Sequence, residues 1–118
     1  MRNFYKNKNI LITGHSGFKG SWLSLMLLYL NSNIYGYSLK PKKLSLFNIL
    51  KLNTKITGNK FCDIRNYKQL EKFFLKSNPD IVFHLAAQPI VSESYLKPIY
   101  TWEVNVEGTL NLLKASEK

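Results

Sequence analysis

Three glycines spaced three residues apart stand at the first junction between a strand pattern and a helix pattern. The short apolar run Asn9–Thr13 is stopped by Gly14, and Gly17 and Gly20 follow as a helical segment begins. Gly14 permits a tight turn, Gly17 lacks a Cβ so that a phosphate can approach the backbone, and Gly20 lets helix and strand pack closely. The N–H groups at the helix start then face the phosphates, whose charge the helix dipole favours, and Lys19 adds a cation nearby. This pattern predicts a dinucleotide-binding turn rather than glycines used for packing alone.

Apolar runs and helical periodicity alternate along the rest of the chain. Strands are predicted at residues 9–13, 34–37, 60–62 and 80–85, and helices at residues 20–30, 66–77 and 99–116, with one helical turn around residues 46–50. This alternation is typical of a parallel sheet with right-handed crossovers. We therefore expect an α/β, Rossmann-type doubly wound sheet that is truncated after the fourth strand and its helix. Its strand order would be 3-2-1-4, which leaves the fourth strand as an exposed edge that invites association and poor solubility.

Each predicted helix carries apolar residues at helical spacing, which predicts the face that it buries. Asn66 is a plausible N-cap of the second helix, and Pro98 stands where the first turn of the third tolerates it. The predicted inward sets are Leu23, Met26, Leu27 and Leu30 in the first helix, Leu70, Phe73, Phe74 and Ser77 in the second, and Trp102, Val106, Leu110 and Leu113 in the third.

The charge of the chain is strongly basic, with seventeen Lys and Arg against seven Asp and Glu and a formal charge of +10. A nucleic-acid partner would explain such a charge. However, only Arg2 and Arg65 are arginine, the residue suited to bidentate phosphate and base contacts. The lysines are also spread along the chain. We therefore expect no nucleic-acid partner, and steeply salt-dependent retention of DNA would contradict this expectation.

The other compositional features are those of a folded cytoplasmic domain. In 118 residues, 45% are hydrophobic and 14% aromatic, which excludes a disordered or collagen-like chain. Cys62 is the single cysteine, so no internal disulfide can form, and without a His/Cys cluster we expect no metal site. The longest apolar stretch, residues 22–30, is too short for a membrane span, and no secretory signal is recognisable at residues 1–13.

The end of the predicted second strand is where a dinucleotide site holds the ribose nearest the adenine. An acidic residue there would accept from the ribose 2′-OH of NAD, but the sequence has Tyr37 and Ser38. Ser38 can bond to the ribose. Lys40, Lys42 and Lys43 could meet a 2′-phosphate, which slightly favours NADP, or they could belong to a solvated loop. The residues alone leave the choice of coenzyme open.

The ends of the third and fourth predicted strands supply further candidate residues. Asp63 could accept from an adenine amino group and Ile64 could cover the ring, although an Asp at a strand end is more often a cap. Small residues at 86 and 87 let the middle of a dinucleotide lie against the backbone at the sheet edge. For His84 we expect a satisfied core histidine rather than a catalytic one.

These residues together make the chain resemble the extended short-chain dehydrogenase/reductase superfamily, the NAD-dependent epimerases and dehydratases of nucleotide sugars. Within it the chain is most similar to the CDP-glucose 4,6-dehydratases. The stretches that carry the likeness are residues 14–23 (GHSGFKGSWL), 45–47 (SLF), 63–65 (DIR), 84–89 (HLAAQP), 94–95 (SY) and 105–109 (NVEGT), with Pro98. The likeness extends from about residue 9 to residue 115, and it covers only the front part of the superfamily's fold.

The resemblance implies NAD as the cofactor and residues 1–118 as the N-terminal part of an NAD-binding Rossmann domain. It implies that the glycine turn meets the pyrophosphate, that residues 63 and 64 meet the adenine end and residues 86–88 the middle of NAD, and that Asn105 lies near the ribose or braces the loop after the fourth strand. The cofactor-binding residues expected are therefore Gly14, Ser16, Gly17, Phe18, Lys19, Gly20, Ser38, Asp63, Ile64, Ala86, Ala87, Gln88 and Asn105.

The reaction that the resemblance implies converts CDP-glucose to CDP-4-keto-6-deoxyglucose and water. A hydride passes from C4 of the sugar to NAD, water leaves across C5–C6, and the hydride returns to C6. The superfamily uses a tyrosine base with a lysine four residues later, but none of the seven tyrosines here has that lysine. We therefore expect no catalytic residue in this chain, which would be inactive alone as a truncated gene, a split gene or a partial sequence.

The partners that these interpretations imply are a nucleotide-sugar substrate of the full-length enzyme and either a second copy of the chain or a separate C-terminal fragment. Two other functions stay open at this point. The chain could be a stand-alone, non-catalytic dinucleotide-binding module, or it could belong to another nucleotide-sugar epimerase or dehydratase.

Overall fold

The computed structural model describes residues 1–118 except for the side chain of Arg2. Its four strands are β1 (Asn9–Thr13), β2 (Asn33–Ser38), β3 (Gly58–Phe61) and β4 (Ile81–His84). Its helices are α1 (Arg2–Tyr5), α2 (Phe18–Tyr29), α3 (Leu46–Ile49), α4 (Tyr67–Ser77), α5 (Val91–Leu96), α6 (Pro98–Trp102) and α7 (Gly108–Ser116). A 3-10 turn at Leu52–Thr54 precedes β3, and a π-helical turn at Glu103–Glu107 joins α6 to α7.

The four strands form one parallel sheet in the order β3-β2-β1-β4, which confirms the predicted Rossmann-type topology. Strand β1 lies at the centre, and its register pairs Thr13 with Tyr37 of β2 and with His84 of β4. Because all the strands run the same way, their carboxyl ends meet at one edge of the sheet. Strand β4 is an edge strand in this structure, as expected.

Alternate side chains of β1 enter two separate cores on the two faces of the sheet. Ile10 and Ile12 pack with residues of α2, α3 and the 3-10 turn, whereas Leu11 packs with residues of α4 and α7. The first core contains Ile10, Ile12, Leu27, Leu30, Ile34, Phe47, Leu52 and Ile56. The second contains Leu11, Tyr37, Ile64, Leu70, Phe73, Val104 and Leu112.

Helix α2 begins at Phe18 with Gly17 as its N-cap, and three of its four predicted inward residues pack in the first core, with Leu27 and Leu30 buried and Leu23 partly buried. Its buried residues are Gly20, Ser21, Ser24 and Leu27, whereas Met26 is half exposed. Small residues face the sheet because the helix lies close against it. The hydroxyls of Ser21 and Ser24 donate to carbonyls four residues back, so burying them leaves no polar group without a partner.

The helical segment from Pro98 to Ser116 turns a different face inward from the predicted one, so this prediction was wrong. Val104, Gly108, Leu112 and Ala115 are buried, whereas the predicted inward set of Trp102, Val106, Leu110 and Leu113 is largely exposed. The segment carries two apolar stripes, and the one with small residues packs inward. Gly108 makes this possible, since a Cβ there would stand 2.5 Å from Cγ2 of Ile64.

The remaining elements lie closer to their predictions from the sequence. Helix α4 begins as expected, with the Asn66 side chain accepting from the N–H of Gln69, and it buries Leu70, Phe73 and Ser77. Helix α5 was not predicted, because a loop was expected after Pro89. None of the helices in the described part of the chain combines the length and apolar character needed to cross a bilayer.

Candidate functional site

A groove of about 610 Å³ lies at the carboxyl ends of β1, β2 and β4, between the glycine turn and the loops that follow β3 and β4. Every residue of the predicted cofactor site lines it except Gln88 and Asn105. The groove is lined by Gly14, Ser16, Gly17, Phe18, Lys19, Gly20, Tyr37, Ser38, Leu39, Cys62, Asp63, Ile64, Leu85, Ala86, Ala87, Pro89, Tyr100 and Val104.

The three glycines of the turn meet three different steric demands. Gly14 has a φ of +74°, and a Cβ there would stand 2.7 Å from the carbonyl carbon of Leu85. A Cβ on Gly20 would overlap the carbonyl oxygen of Gly14. A Cβ on Gly17 would meet only that same oxygen, at 3.3 Å, so it would fit the protein but occupy part of the groove wall. Gly14 and Gly20 are therefore required by the fold, and Gly17 leaves space toward the groove.

The start of helix α2 is suited to a negatively charged group. The N–H groups of its first residues, Phe18, Lys19 and Gly20, have no acceptor inside the helix. The first turn contains no acidic residue, and its N-cap Gly17 supplies no capping side chain. Donors, helix dipole and the nearby lysine therefore all favour an anion here.

Two hydroxyl groups lie where β2 ends. The Oγ of Ser38 donates to the Oγ of Ser16 at 2.7 Å, and Ser16 donates to the carbonyl of Leu39 at 2.9 Å. Ser38 is buried, whereas Ser16 is half buried in the glycine turn. The pair joins the turn to β2 and presents hydroxyl oxygens to the groove.

The loop after β3 forms the part of the groove around Asp63, beside the end of β2, where the N–H of Cys62 donates to the carbonyl of Ser38 at 2.8 Å. Arg65 binds both carboxylate oxygens of Asp63, through Nε at 3.1 Å and Nη2 at 2.8 Å, and its Nη1 binds Glu103 at 2.7 Å. Its guanidinium also lies 4.9 Å from the ring centroid of Tyr100. These hydrogen bonds from Arg65 hold the pKa of Asp63 below its usual value, so the groove presents a charged, oriented carboxylate.

The π-helical turn and α7 hold this loop from behind. The amide of Asn111 donates to the carbonyls of Ile64 and Arg65, both at 3.1 Å, and Ile64 packs on Gly108. Ile64 is 5% exposed. Glu103 and Asn105 are two positions apart in the π-helical turn, and they bond to two different loops, Glu103 to Arg65 after β3 and Asn105 to Gln88 after β4.

The loop after β4 forms the remaining wall, and Gln88 and Asn105 support it without lining the groove. The N–H of Gln88 donates to Oδ1 of Asn105 at 2.8 Å, and Asn105 donates to the carbonyl of Gln88 at 3.2 Å. The side chain of Gln88 also donates to Thr101 at 2.9 Å. Of the two places expected for Asn105, the structure shows the bracing one.

His84 is fully hydrogen-bonded, as predicted for a core histidine. The hydroxyl of Thr13 lies 2.6 Å from its Nδ1, and its Nε2 lies 2.9 Å from the hydroxyl of Thr109. The Thr13 oxygen accepts from the N–H groups of Leu85 and Ala86, so its own proton goes to Nδ1. Burial lowers the pKa of His84, which keeps the ring neutral and suits this arrangement.

His15 is a residue of the glycine turn that sequence reasoning missed. It is fully buried beneath Gly36 of β2, and its Nε2 lies 2.7 Å from Oδ1 of Asn59. Its ring stacks on Phe61 and meets Phe47 edge-on. Burial lowers its pKa to about 4, although the bond to Asn59 opposes that shift. A glycine inside a strand often marks such a close approach, so Gly36 was the available signal.

Several lining residues were not among the expected cofactor-binding residues. They are Tyr37, which the sequence places beside Ser38, and Leu39, Cys62, Leu85, Pro89, Tyr100 and Val104. Among the residues that the structure describes, no three His, Cys, Asp or Glu side chains cluster as a metal site would require.

The sequence and the fold have counterparts among known proteins. CDP-glucose 4,6-dehydratase of Salmonella typhimurium is 45% identical over 114 residues, 96% of this chain and 32% of the relative. CDP-paratose 2-epimerase of Salmonella typhi is 37% identical, over 90% of this chain and 32% of the relative. UDP-glucose 4-epimerase of Bifidobacterium longum, solved in complex with NAD+ and UDP, has a TM-score of 0.80 at 27% identity and covers 92% of this chain and 33% of its own.

A second solved structure, UDP-glucose-4-epimerase of Stenotrophomonas maltophila with bound NAD, gives a TM-score of 0.81 at 25% identity, over 94% of this chain and 34% of its own. The chain thus spans about a third of the length of the relatives that it matches. The sequence model of the GDP-mannose 4,6 dehydratase family matches residues 11–118. The chain therefore belongs to the GDP-mannose 4,6 dehydratase family, within the extended short-chain dehydrogenase/reductases that its sequence resembles.

Proposed function

We propose that this chain is the NAD-binding part of a nucleotide-sugar 4,6-dehydratase that acts on CDP-glucose. The observation that carries the proposal is the groove over the glycine turn in a chain 45% identical to a CDP-glucose 4,6-dehydratase. Identity falls to 37% for CDP-paratose 2-epimerase, which favours the dehydratase among the nucleotide-sugar enzymes. Residues 1–118 would be the N-terminal part of the Rossmann domain.

The residues present fit NAD. Gly17 leaves the space that a pyrophosphate needs, and the N–H groups of Phe18, Lys19 and Gly20 supply its donors. Ser16 and Ser38 would hold the adenosine ribose, Asp63 and Ile64 the adenine, and Ala86 and Ala87 the middle of the dinucleotide. Gln88 and Asn105 would act by holding the last of these loops in place.

Bound NAD would supply a hydride acceptor that is regenerated when the hydride returns to the sugar. The chain's own residues bind and orient that coenzyme. They supply no recognisable base, since no tyrosine is followed four residues later by lysine. We therefore propose that residues 1–118 alone bind NAD without dehydrating CDP-glucose.

Calorimetry with NAD tests the binding part of this proposal. We expect saturable heat from the folded chain and a large loss of affinity in Gly17→Ala, with Ser92→Ala on exposed α5 as the matched control. If correctly folded protein gave no heat of binding with NAD, the proposal would be overturned. Incubation with CDP-glucose and NAD should give no 4-keto product, and a product would overturn the claim that the chain alone is inactive.

A further inference from the structure

The charge of the chain is divided unevenly between its two halves. Ten Lys and Arg and no Asp or Glu precede Asp63, whereas seven basic and seven acidic residues lie from Asp63 onward. The whole formal charge of +10 therefore belongs to residues 1–62. These residues include α2, α3 and the 3-10 turn, which pack together in the first core on one face of the sheet. The opposite face, with α4 and α7, carries charges of both signs.

Five exposed lysines lie on the elements of this positive face or in the loops beside them. They are Lys19 of α2, Lys42 and Lys43 before α3, and Lys51 and Lys55 on the two sides of the 3-10 turn. In the part of the chain that the structure describes, the ion pairs involve none of these lysines. Their charges are therefore not balanced within the chain, and together they favour an anionic partner.

Helix α2 turns an apolar stripe outward on the same face. The stripe consists of Phe18, Trp22, Met26 and Tyr29, which recur at helical spacing and are between 50% and 71% exposed. The buried residues of the helix lie on its other side, against the sheet. A groove of about 660 Å³ on this face is lined by Trp22, Leu25, Met26, Leu28, Tyr29 and Lys55. Apolar and aromatic side chains thus stand beside lysine on one surface.

This combination of charge and apolar surface distinguishes between the possible partners. A second copy of the chain would bring the same unbalanced positive charge to the contact, and like charges repel. A nucleic acid would stack its bases on aromatic rings, but aliphatic Leu25 and Met26 stand between Trp22 and Tyr29. An anionic lipid surface matches both features, because Trp, Tyr and Phe rings lie favourably at the headgroup level and lysines attract anionic headgroups.

We propose that this face binds the surface of an anionic lipid membrane through the α2 stripe and the lysines around it. Helix α2 would lie along the surface, with Trp22 and Met26 among the headgroups and Lys51 and Lys55 close to anionic lipids. The inference goes beyond the proposed coenzyme binding and does not depend on it, since these four residues do not line the coenzyme groove.

Co-sedimentation of the full chain with lipid vesicles tests the proposal. The vesicles are phosphatidylcholine with about 30% phosphatidylglycerol, compared with phosphatidylcholine alone. We expect binding to the anionic vesicles that is at least about tenfold tighter and that weakens as salt is added. Absence of binding to anionic vesicles, or equal binding to both compositions, would overturn the proposal. Binding to RNA or polyglutamate but not to vesicles would overturn it as well, because the face would then take an acidic polymer.

The double variant Lys51→Glu, Lys55→Glu tests the lysines of the face. It should weaken binding to the anionic vesicles by about tenfold or more and leave NAD binding unchanged. The matched control is Lys68→Glu, Lys72→Glu, which makes the same change of charge at the same spacing on exposed positions of α4, across the sheet. It should weaken binding much less. Equal weakening by the two double variants would assign binding to the overall charge and overturn the role of this face.

The fluorescence of Trp22 tests the apolar stripe directly. The chain has two tryptophans, so Trp102→Phe leaves Trp22 as the reporter. We expect its emission to shift to shorter wavelength on anionic vesicles and to be quenched by brominated lipid. Trp22→Gln, at a half-exposed position, should keep the fold and weaken vesicle binding by about fivefold or more. Vesicle binding with the emission of Trp22 unchanged would overturn the role of the stripe.

Discussion

The Nε2 of His15 donates to Oδ1 of Asn59 at 2.7 Å, and this bond ties the glycine turn to the edge strand β3. The ring reaches Asn59 by crossing β2 directly over Gly36, where a Cβ would overlap it. Phe47 and Phe61 hold the ring from two sides. The glycine turn, which would contact the phosphates, is therefore held in place partly by Asn59 on β3, two strands away from β1.

Gly36→Ala should destabilise the fold by about 2 kcal/mol, because the new methyl group overlaps a fully buried ring that cannot move aside. Chemical unfolding measures the loss. In a His15→Ala background the ring is gone, so the same substitution should cost much less. Equal costs in the two backgrounds would contradict the close approach of Gly36 and His15.

Acid should unfold the chain through the same histidine. The pKa of His15 is about 4 in the folded chain and 6.5 as an unperturbed group, so the unfolded state binds the proton more tightly. Stability is therefore fully present above pH 6.5 and is lost as the pH falls toward 4, by about 3 kcal/mol from this group. His84, whose pKa is also lowered, adds to the loss in the same direction.

The free energy of unfolding measured between pH 7 and pH 4.5 checks this linkage. His15→Gln lacks the titrating ring, so its stability should fall less steeply with decreasing pH, whatever its stability at neutral pH. Asn59→Ala removes the bond that opposes the shift and should keep the steep dependence. A slope unchanged by His15→Gln would contradict the buried, neutral state of this ring.

Two glycine substitutions in the turn should separate folding from coenzyme binding. Gly20→Ala sets a Cβ against the carbonyl oxygen of Gly14, which is backbone and cannot yield, so we expect a loss of several kcal/mol or no folding. Gly17→Ala should cost about 1 kcal/mol or less, since Gly17 is the N-cap and its Cβ meets one atom at 3.3 Å.

Thermal unfolding with and without NAD measures both effects. Gly17→Ala should melt near the wild type but lose most of the stabilisation by NAD, because its methyl group takes the space of the pyrophosphate. A Gly17→Ala variant with unchanged NAD stabilisation would contradict the assignment of the phosphates to this turn.

The strand order and most groove residues could be predicted because they follow from local signals that agree with one another. The glycines, the alternation of strands and helices, and the short apolar run before His84 all indicate the same topology. The inward face of the last helix could not be predicted in this way. This helix is apolar on more than one side, and the stripe with Gly108 and Ala115 packs inward because its small residues allow a close approach.

The contacts that support the site could not be predicted from the sequence either. The bonds of His15 to Asn59 and of Arg65 to Glu103 join residues that lie 44 and 38 positions apart. Such pairs follow from the tertiary arrangement, and the π-helical turn that brings Glu103 and Asn105 to two loops has no compositional signature. The residues that line the groove could therefore be predicted better than the tertiary contacts that hold these residues in place.

Arg65→Met should disturb the adenine end of the groove more than it destabilises the fold. It removes the bonds to Asp63 and Glu103, which are a third exposed, so we expect a loss of about 1 kcal/mol. The pKa of Asp63 should return toward its usual value, since Arg65 causes the depression. Arg65→Lys should rescue little, because an ammonium group cannot bind both carboxylates in the same geometry.

The binding of nicotinamide hypoxanthine dinucleotide separates this effect from general loosening. This analogue lacks the adenine amino group, so the wild-type chain should bind it more weakly than NAD if Asp63 accepts from that group. Arg65→Met should reduce the preference as well as the affinity. A reduced affinity with the preference intact would assign Arg65 to stability alone.

The outer face of the last helices should make the chain self-associate. This outer stripe consists of Val91, Tyr95, Ile99, Trp102, Val106, Leu110 and Leu113, which are between 39% and 83% exposed. Monomers rarely expose contiguous apolar patches of more than a few hundred Å², so seven exposed apolar or aromatic side chains on these helices favour association. Strand β4 is an edge strand and also offers unpaired backbone groups. We expect a second copy of the chain, which carries the same stripe, to cover this surface about a two-fold axis.

Sedimentation at several concentrations checks the association. We expect an average mass that rises with concentration, and a dimer weakened by about tenfold or more in Trp102→Glu, because the charge would enter an apolar contact. Leu44→Glu is the matched control, since Leu44 is 89% exposed in the loop before α3, outside the stripe. A wild-type chain that stays monomeric at every concentration would contradict the role of the stripe, and equal weakening by the two variants would assign the association to another surface.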